Sequence, residues 1–234
     1  RRHVRGEPVQ LHPRYLDFAR HYGFAPVACN VAKGNEKGRV ERAIREELED
    51  WRDTLLQVMP LFHVYGNLGV STAAFAGHNT LALVPNPRDV DDVVHTIQRV
   101  KPRFVPGVPT LFVALLEHPK VKSRRADLSA VRLCVCGAAP LMTETKKRFE
   151  SLTGGTIVEG YAMTESMMAA VINPVRGVHK PGSVGLPLPD VELRIVDTGT
   201  GADLPRGASG EVLLRAPQMM TGYWNDADAR REAC

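Results

Sequence analysis

The feature that most restricts how this chain can fold is the regular alternation, from Pro60 onward, of short apolar runs with amphipathic helical segments. Thr80 to Val84 reads as a strand, Pro85-Asn86-Pro87 as a turn and Asp89 to Val100 as a helix. Phe104-Val105 is the next strand, and Val108 to Glu117 the next helix, with Pro109 in its first turn. A strand at Val131 to Cys136, a helix at Thr143 to Leu152 and a strand at Thr156 to Glu159 complete the series. Parallel strands need long crossover connections, and helices supply them, so the alternation predicts an α/β domain with a mostly parallel sheet flanked by helices. From Gly182 the pattern changes to hairpins. Glu192 to Val196 and Glu211 to Arg215 flank a Gly/Asp/Pro-rich loop, which predicts a smaller β-rich element after the α/β part. No internal repeat is present.

Upstream of Pro60 the texture differs. Pro13 to Tyr22, stopped by Gly23, suits a short helix, and residues 26 to 31 suit a strand. Val40, Ile44, Leu48, Trp51, Leu55 and Val58 fall on one helical face, so periodicity alone predicts a helix running to Pro60. The change in texture divides the chain into a helical N-terminal appendage (1–45), a junction (46–59) and the α/β part (60–234).

Composition narrows the function classes. At 44% hydrophobic and 24% charged residues, the 234-residue chain can bury a core and does not resemble a disordered or low-complexity sequence. No apolar run reaches the roughly 18 residues of a membrane span, and Arg1 to Gln10 lack the apolar stretch of a signal peptide, so a cytoplasmic location is expected. Cys29, Cys134, Cys136 and Cys234 form neither a CxxC pair nor a zinc-type spacing with His. The basic excess sits at one end. Residues 1–45 hold ten Lys/Arg against four Asp/Glu, which suits either an anionic partner such as nucleic acid or a solvated basic face.

Three stretches carry candidate chemistry. Open α/β sheets bind ligands where loops leave the carboxyl ends of strands. Cys136-Gly137-Ala138-Ala139-Pro140 follows one strand, and its small residues would let the backbone approach a flat ligand; a plain strand-to-helix turn reads the same way. Glu159-Gly160-Tyr161-Ala162-Met163-Thr164-Glu165-Ser166 follows another. There a hydroxyl beside a carboxylate can hold a phosphate oxygen and a hard cation, although Thr-Glu also begins helices. Pro60-Leu61-Phe62-His63-Val64-Tyr65-Gly66 is an apolar run with one His, which reads as buried and fits either a core histidine or a functional one.

In this order and spacing the three stretches resemble the adenylate-forming superfamily: acyl-CoA synthetases, luciferases and peptide-synthetase adenylation domains. Val84 to Asp89, Lys101 to Thr110, Lys180 to Pro189, Gly210-Glu211-Val212 and Gly222-Tyr223-Trp224 extend the match from about residue 54 to the end, and it is most similar to bacterial long-chain fatty acid–CoA ligases. The resemblance implies a two-step reaction, in which a carboxylate attacks the α-phosphorus of ATP to give acyl-AMP and pyrophosphate, and coenzyme A then displaces AMP. It implies that Thr164 and Glu165 bind the α-phosphate and Mg²⁺, with Glu165 as the metal ligand. Gly137, Ala138, Ala139, Pro140, Gly160, Tyr161, Ala162 and Met163 would cradle the nucleotide. His63, Val64, Tyr65, Gly66 and Val108 would meet the acyl group, with His63, Thr164 and Glu165 nearest the chemistry. Its implied partners are therefore fatty acid, ATP and coenzyme A. The resemblance also makes Leu55 to Met59 a strand feeding the His63 loop, against the helical spacing; we expect that strand, from about Thr54, because packing within a sheet overrides local spacing.

The sequence also departs from that family. Residues 1–59 hold no Ser/Thr/Gly-rich phosphate loop; the nearest string, Lys33-Gly34-Asn35-Glu36-Lys37-Gly38, lacks the hydroxyls. The ribose-binding Asp, hinge and catalytic Lys of the small C-terminal domain would follow residue 234. A truncated AMP-binding domain, inactive or impaired alone, is the expectation. Ala162 stands where many relatives have Gly, which would crowd the adenine edge. Leu11 to Phe24 and Gly34 to Ile44 are instead similar to the end of an insertion-sequence transposase integrase core. That resemblance makes Glu41 the third metal-binding carboxylate and sets Lys37 near DNA, yet without partnering Asp residues Glu41 cannot assemble a two-metal site. A junction of the two families fits both halves, with a nucleic-acid-binding remnant or a non-catalytic acyl/nucleotide-binding module as the other readings.

Overall fold

A computed structural model of the chain describes residues 53–233, all within the second of its two units, 38–234. The expected helices and strand before residue 53, with Lys37 and Glu41, lie outside the described residues.

Strand β1 (Thr54–Gln57) opens the described part, so the junction is extended where periodicity alone would have continued a helix. The reason is burial on two sides. Leu55 and Leu56 are both fully buried but belong to different cores, which a strand achieves by alternating its side chains and a one-faced helix does not. The same holds along β3 (Phe104–Gly107), where Phe104 and Val105 part company, and along β4 (Leu133–Cys136), where Leu133 and Val135 face one core and Cys134 and Cys136 the other.

With β2 (Thr80–Leu83) at one edge, β5 (Thr156–Met163), β6 (Met168–Ile172) and the short β7 (Leu186–Pro187) complete a seven-stranded sheet of order β2-β1-β3-β4-β5-β6-β7. The first five are parallel; β6 pairs antiparallel with β5, and β7 antiparallel with β6. A π-helical stretch, Tyr65–Ser71, continued by α1 (Thr72–Ala76), covers one face through Val70, Ala73 and Ala74. Helices α2 (Val90–Val100) and α3 (Pro109–Glu117), the short α4 (Pro119–Lys122) and α5 (Thr143–Thr153) cover the other. Their ends follow local rules: Asp89 caps α2 by accepting from the Asp92 N–H (3.1 Å), and Gly154 ends α5 in the left-handed region.

Two elements differ from expectation. The strand expected to stop at Glu159 runs to Met163, because Gly160–Met163 pair with β6, a strand the sequence pattern did not suggest. Gly160, Tyr161, Ala162 and Met163 therefore belong to a hairpin with an irregularity between Tyr161 and Ala162. The β-rich element is present as β8 (Glu192–Val196) and β9 (Glu211–Arg215), paired antiparallel apart from the main sheet. A short helix, α6 (Ala227–Ala233), ends the described part. No helix among the described residues is long and apolar enough to cross a membrane.

Phe112 of α3 and Phe149 of α5 meet edge-to-face in the helix-side core, with ring centroids 5.0 Å apart. Both are essentially inaccessible to solvent. Phe112→Ala should lower unfolding free energy by about 3–5 kcal/mol, read from urea denaturation; a loss under about 1 kcal/mol would contradict this packing.

Candidate functional site

Chain connections decide where the site lies. The link from β1 to β2 passes over one face of the sheet, whereas those from β2 to β3, β3 to β4 and β4 to β5 pass over the other. Loops at the carboxyl ends of β1 and β3 thus diverge, and a crevice opens between them, the position where open α/β sheets take ligands. A cavity of about 320 Å³ occupies this end of the sheet. It is walled by the β1 loop (His63, Val64, Tyr65), by the end of β4 (Val135, Cys136, Gly137, Ala138) and by the β5–β6 hairpin, including Gly160, Ala162, Met163, Thr164, Glu165 and Met168. Gly66, Val108, Ala139, Pro140 and Tyr161 do not line it. Val108 packs on the helix-side core.

Polar side chains hold the walls, and sequence reasoning passed over two of them, Gln57 and Ser71. Gln57, buried at the end of β1, donates its amide N–H groups to the carbonyls of Met59 (2.7 Å) and Gly66 (3.2 Å), folding the loop back on the strand. Ser71 donates to the same Gly66 carbonyl at 3.0 Å. Gly66 fits because it has no side chain: a Cβ there would lie 2.3 Å from the Pro60 carbonyl oxygen. Tyr65 crosses to the neighbouring wall and donates its hydroxyl to the Val135 carbonyl at 2.7 Å. Burial pushes that phenol well above its usual range, so it stays a donor.

The motif around His63 is not buried as expected. Phe62 is 93% exposed and Leu61 and His63 also face solvent, because the chain turns at Pro60–His63 before entering the π-helical stretch at the cavity mouth. The Nδ1 of His63 accepts from the Tyr65 N–H (3.1 Å), which leaves the ring proton on Nε2.

On the opposite side Thr164 and Glu165 occupy the tip of the β5–β6 hairpin and do not begin a helix, with the Met167 N–H donating to the Thr164 carbonyl at 3.0 Å. Ser166, fully buried, donates to the Met168 carbonyl (2.7 Å) and accepts from the Met163 N–H (3.2 Å), pinning both ends of the tip. Met167 and Met168 take positive φ (51° and 129°), and Ala138 sits at φ 69° in the β4 loop. Such conformations cost of the order of 1–3 kcal/mol each and concentrate at functional sites. The Glu165 carboxylate accepts from the Tyr223 hydroxyl at 2.6 Å, which lowers its pKa and keeps it ionised at neutral pH.

The cation-binding capacity is small. Among the described residues no three His, Cys, Asp or Glu side chains gather, and Glu165 is the one carboxylate lining the cavity. That does not suit a resident all-protein metal site, but it suits Mg²⁺, which keeps several waters and is bound by one or two carboxylates plus substrate phosphates. In the cavity wall Cys136 is a poor nucleophile. Burial, aided by the Glu159 carboxylate and opposed by Lys146, pushes its thiol up to about 12.

The sequence matches the AMP-binding enzyme family over residues 28–224. The chain belongs to that family. It is 35% identical over 179 residues to a long-chain-fatty-acid–CoA ligase of Bacillus subtilis (strain 168), covering 76% of this chain and 31% of that protein. Against the enzyme of the same name from Yersinia pestis it is 36% identical over 184 residues, covering 78% and 32%. With 4-coumarate–CoA ligase 4 of Arabidopsis thaliana it shares 35% over 186 residues, covering 76% and 31%. Among solved structures it superposes on anthranilate CoA ligase AuaEII in complex with anthranoyl-AMP (TM-score 0.73, 27% identity, 82% of this chain and 38% of that one). It also superposes on ATP-bound MatB from Rhodopseudomonas palustris (TM-score 0.70, 29% identity, 82% and 37%). The chain thus spans about a third of the length of these relatives.

Two outcomes follow from this geometry. Gly66→Ala should lower the thermal midpoint, by strain of about 1–3 kcal/mol; an unchanged midpoint would show that Gln57 and Pro60 yield freely. In the native chain at pH 8, peptide-mapped alkylation should leave Cys134 and Cys136 unmodified. Because their folded-state pKa values are raised, their contribution to stability is intact below the unfolded thiol value, about 8.5. It is lost as pH rises through the folded value.

Proposed function

We propose that the cavity holds the adenylate part of an acyl-adenylate, and that this chain is part of an ATP-dependent ligase activating a long-chain fatty acid for transfer to coenzyme A. The observation that carries the reading is the convergence, in one cavity, of side-chain-free backbone at Gly137 and Gly160 with a hydroxyl and an ionised carboxylate at Thr164 and Glu165. A flat base lies against such backbone, and the Thr164 hydroxyl donates to an α-phosphate oxygen. Glu165 offers one carboxylate oxygen to Mg²⁺, which when bound neutralises phosphate charge. His63 donates from Nε2 to the acyl carboxylate, which the apolar Val64 and Met163 shield from water.

In the first step of the proposed reaction the fatty-acid carboxylate oxygen attacks the α-phosphorus, and the bond to pyrophosphate breaks. In the second, the coenzyme A sulfur attacks the acyl carbonyl and AMP leaves. The chain's contribution is orientation and charge neutralisation. At about 320 Å³ the cavity lies at the small end of ligand sites, suited to the adenylate head. Long-chain specificity rests on the bacterial relatives.

Residues 60–234 form this domain in the proposal. A second reading, a transposase-like remnant contacting DNA, rests on the basic segment 1–45 with Lys37 and Glu41; the family match from residue 28 overlaps it. Salt-dependent retention on DNA that disappears when residues 1–45 are deleted would favour it.

Binding tests the first reading. A non-hydrolysable acyl-adenylate mimic should raise the thermal midpoint, because a ligand of the native state alone stabilises it. No shift at saturating mimic would sink the proposal. Glu165→Gln should weaken binding of Mg-ATP about tenfold or more while leaving the unliganded midpoint unchanged.

A further inference from the structure

The β8–β9 sheet lies apart from the main sheet, yet the chain leaving β9 comes back to the cavity. After a turn closed by the Met219 N–H on the Ala216 carbonyl (3.2 Å), the Met220 N–H donates to the Glu165 carbonyl at 2.8 Å. Three residues further on, the Tyr223 hydroxyl donates to Oε1 of the same Glu165 at 2.6 Å. One segment therefore grips both the backbone and the side chain of a residue 58 positions earlier. Gly222, at φ 139°, makes the approach: a Cβ there would press within 2.7 Å of the Arg230 side chain.

A phenol can donate only one proton, so it satisfies a single carboxylate oxygen. Besides the Tyr223 hydroxyl, the Glu165 carboxylate meets its own backbone N–H, and Glu165 lines the cavity. A glutamate on a hairpin tip otherwise has three freely turning side-chain bonds. Here the hydroxyl removes that freedom on one side and leaves the second oxygen available.

We propose that Tyr223 is the positioning residue of the cation site: its hydroxyl fixes Oε1 of Glu165 so that Oε2 is held ready for the metal of a metal–nucleotide complex. This rests on the reading of Glu165 as the metal ligand. Partners that orient a ligating carboxylate contribute roughly 10–100-fold to metal affinity. The β8–β9 sheet then has a role in the site without touching the ligand: it returns Tyr223 to the hairpin tip.

The experiment is titration of the full chain with ATP, with and without Mg²⁺, and with AMP in EDTA, for the wild type, Tyr223→Phe, Glu165→Gln and the double variant. Tyr223→Phe should weaken ATP binding about tenfold with Mg²⁺ present and leave AMP binding in EDTA unchanged, a split that general loosening of the fold would not produce. Glu165→Gln should do the same, and the double variant should be no weaker than Glu165→Gln alone. If Glu165→Gln weakens binding and Tyr223→Phe does not, the positioning role is wrong while the metal reading stands. Tighter Mg-ATP binding in Tyr223→Phe would also overturn it, making the hydroxyl a competitor of the metal. If neither variant alters the Mg²⁺ dependence, or the wild type has none, the metal reading falls and the inference with it.

Discussion

The rest of the structure depends on the double-sided burial of the parallel strands. Once Leu55 and Leu56, Phe104 and Val105, and Leu133 to Cys136 each direct successive side chains into opposite cores, β1, β3 and β4 must lie in the middle of the sheet with helices on both faces. Their carboxyl ends then line up on one side. Because the chain leaves β1 over one face and β3 over the other, the loops there cannot close over each other. The crevice is a consequence of strand order, and the cavity with the candidate site residues falls there.

What turns the crevice into a defined cavity is a small set of buried polar side chains. Gln57 draws the His63 loop onto β1, Tyr65 ties that loop to β4, and Ser166 closes the tip of the hairpin. Asn173, at the end of β6, bridges the Glu159 and Ser183 carbonyls. The Met59, Gly66 and Ser183 carbonyls lie outside the strands and find side-chain donors, as burial of backbone polar groups requires. Two of the walls are joined side to side where Tyr65 meets Val135.

Legibility in the sequence followed the range of the interactions. Helices α2, α3 and α5 and strands β2, β3 and β4 carry their signals locally, in the Asp89 cap, Pro109 and Gly154 and in apolar runs. The candidate site was readable as three strings because loops after strands keep small or polar residues in order along the chain. The strand nature of Thr54–Gln57 was readable only by setting the family resemblance above helical spacing. Strand β6 was not, since Met168 to Ile172 looks like any apolar run until Gly160–Met163 are available to pair with it. Nor was the exposure of Phe62: an apolar residue among apolar residues reads as core, and only the turn at Pro60 puts it in solvent.

The sequence by itself determined the α/β class and the order of most elements, because periodicity, caps and turn residues act between near neighbours, and the resemblance of its motifs determined the family. Only the tertiary structure decided which of those residues share a cavity, which of them, like Val108, turn to the core, and which distant residue, Tyr223, reaches Glu165. Such contacts depend on strand order and on where a loop returns. Neither leaves a mark in the local spacing of residues.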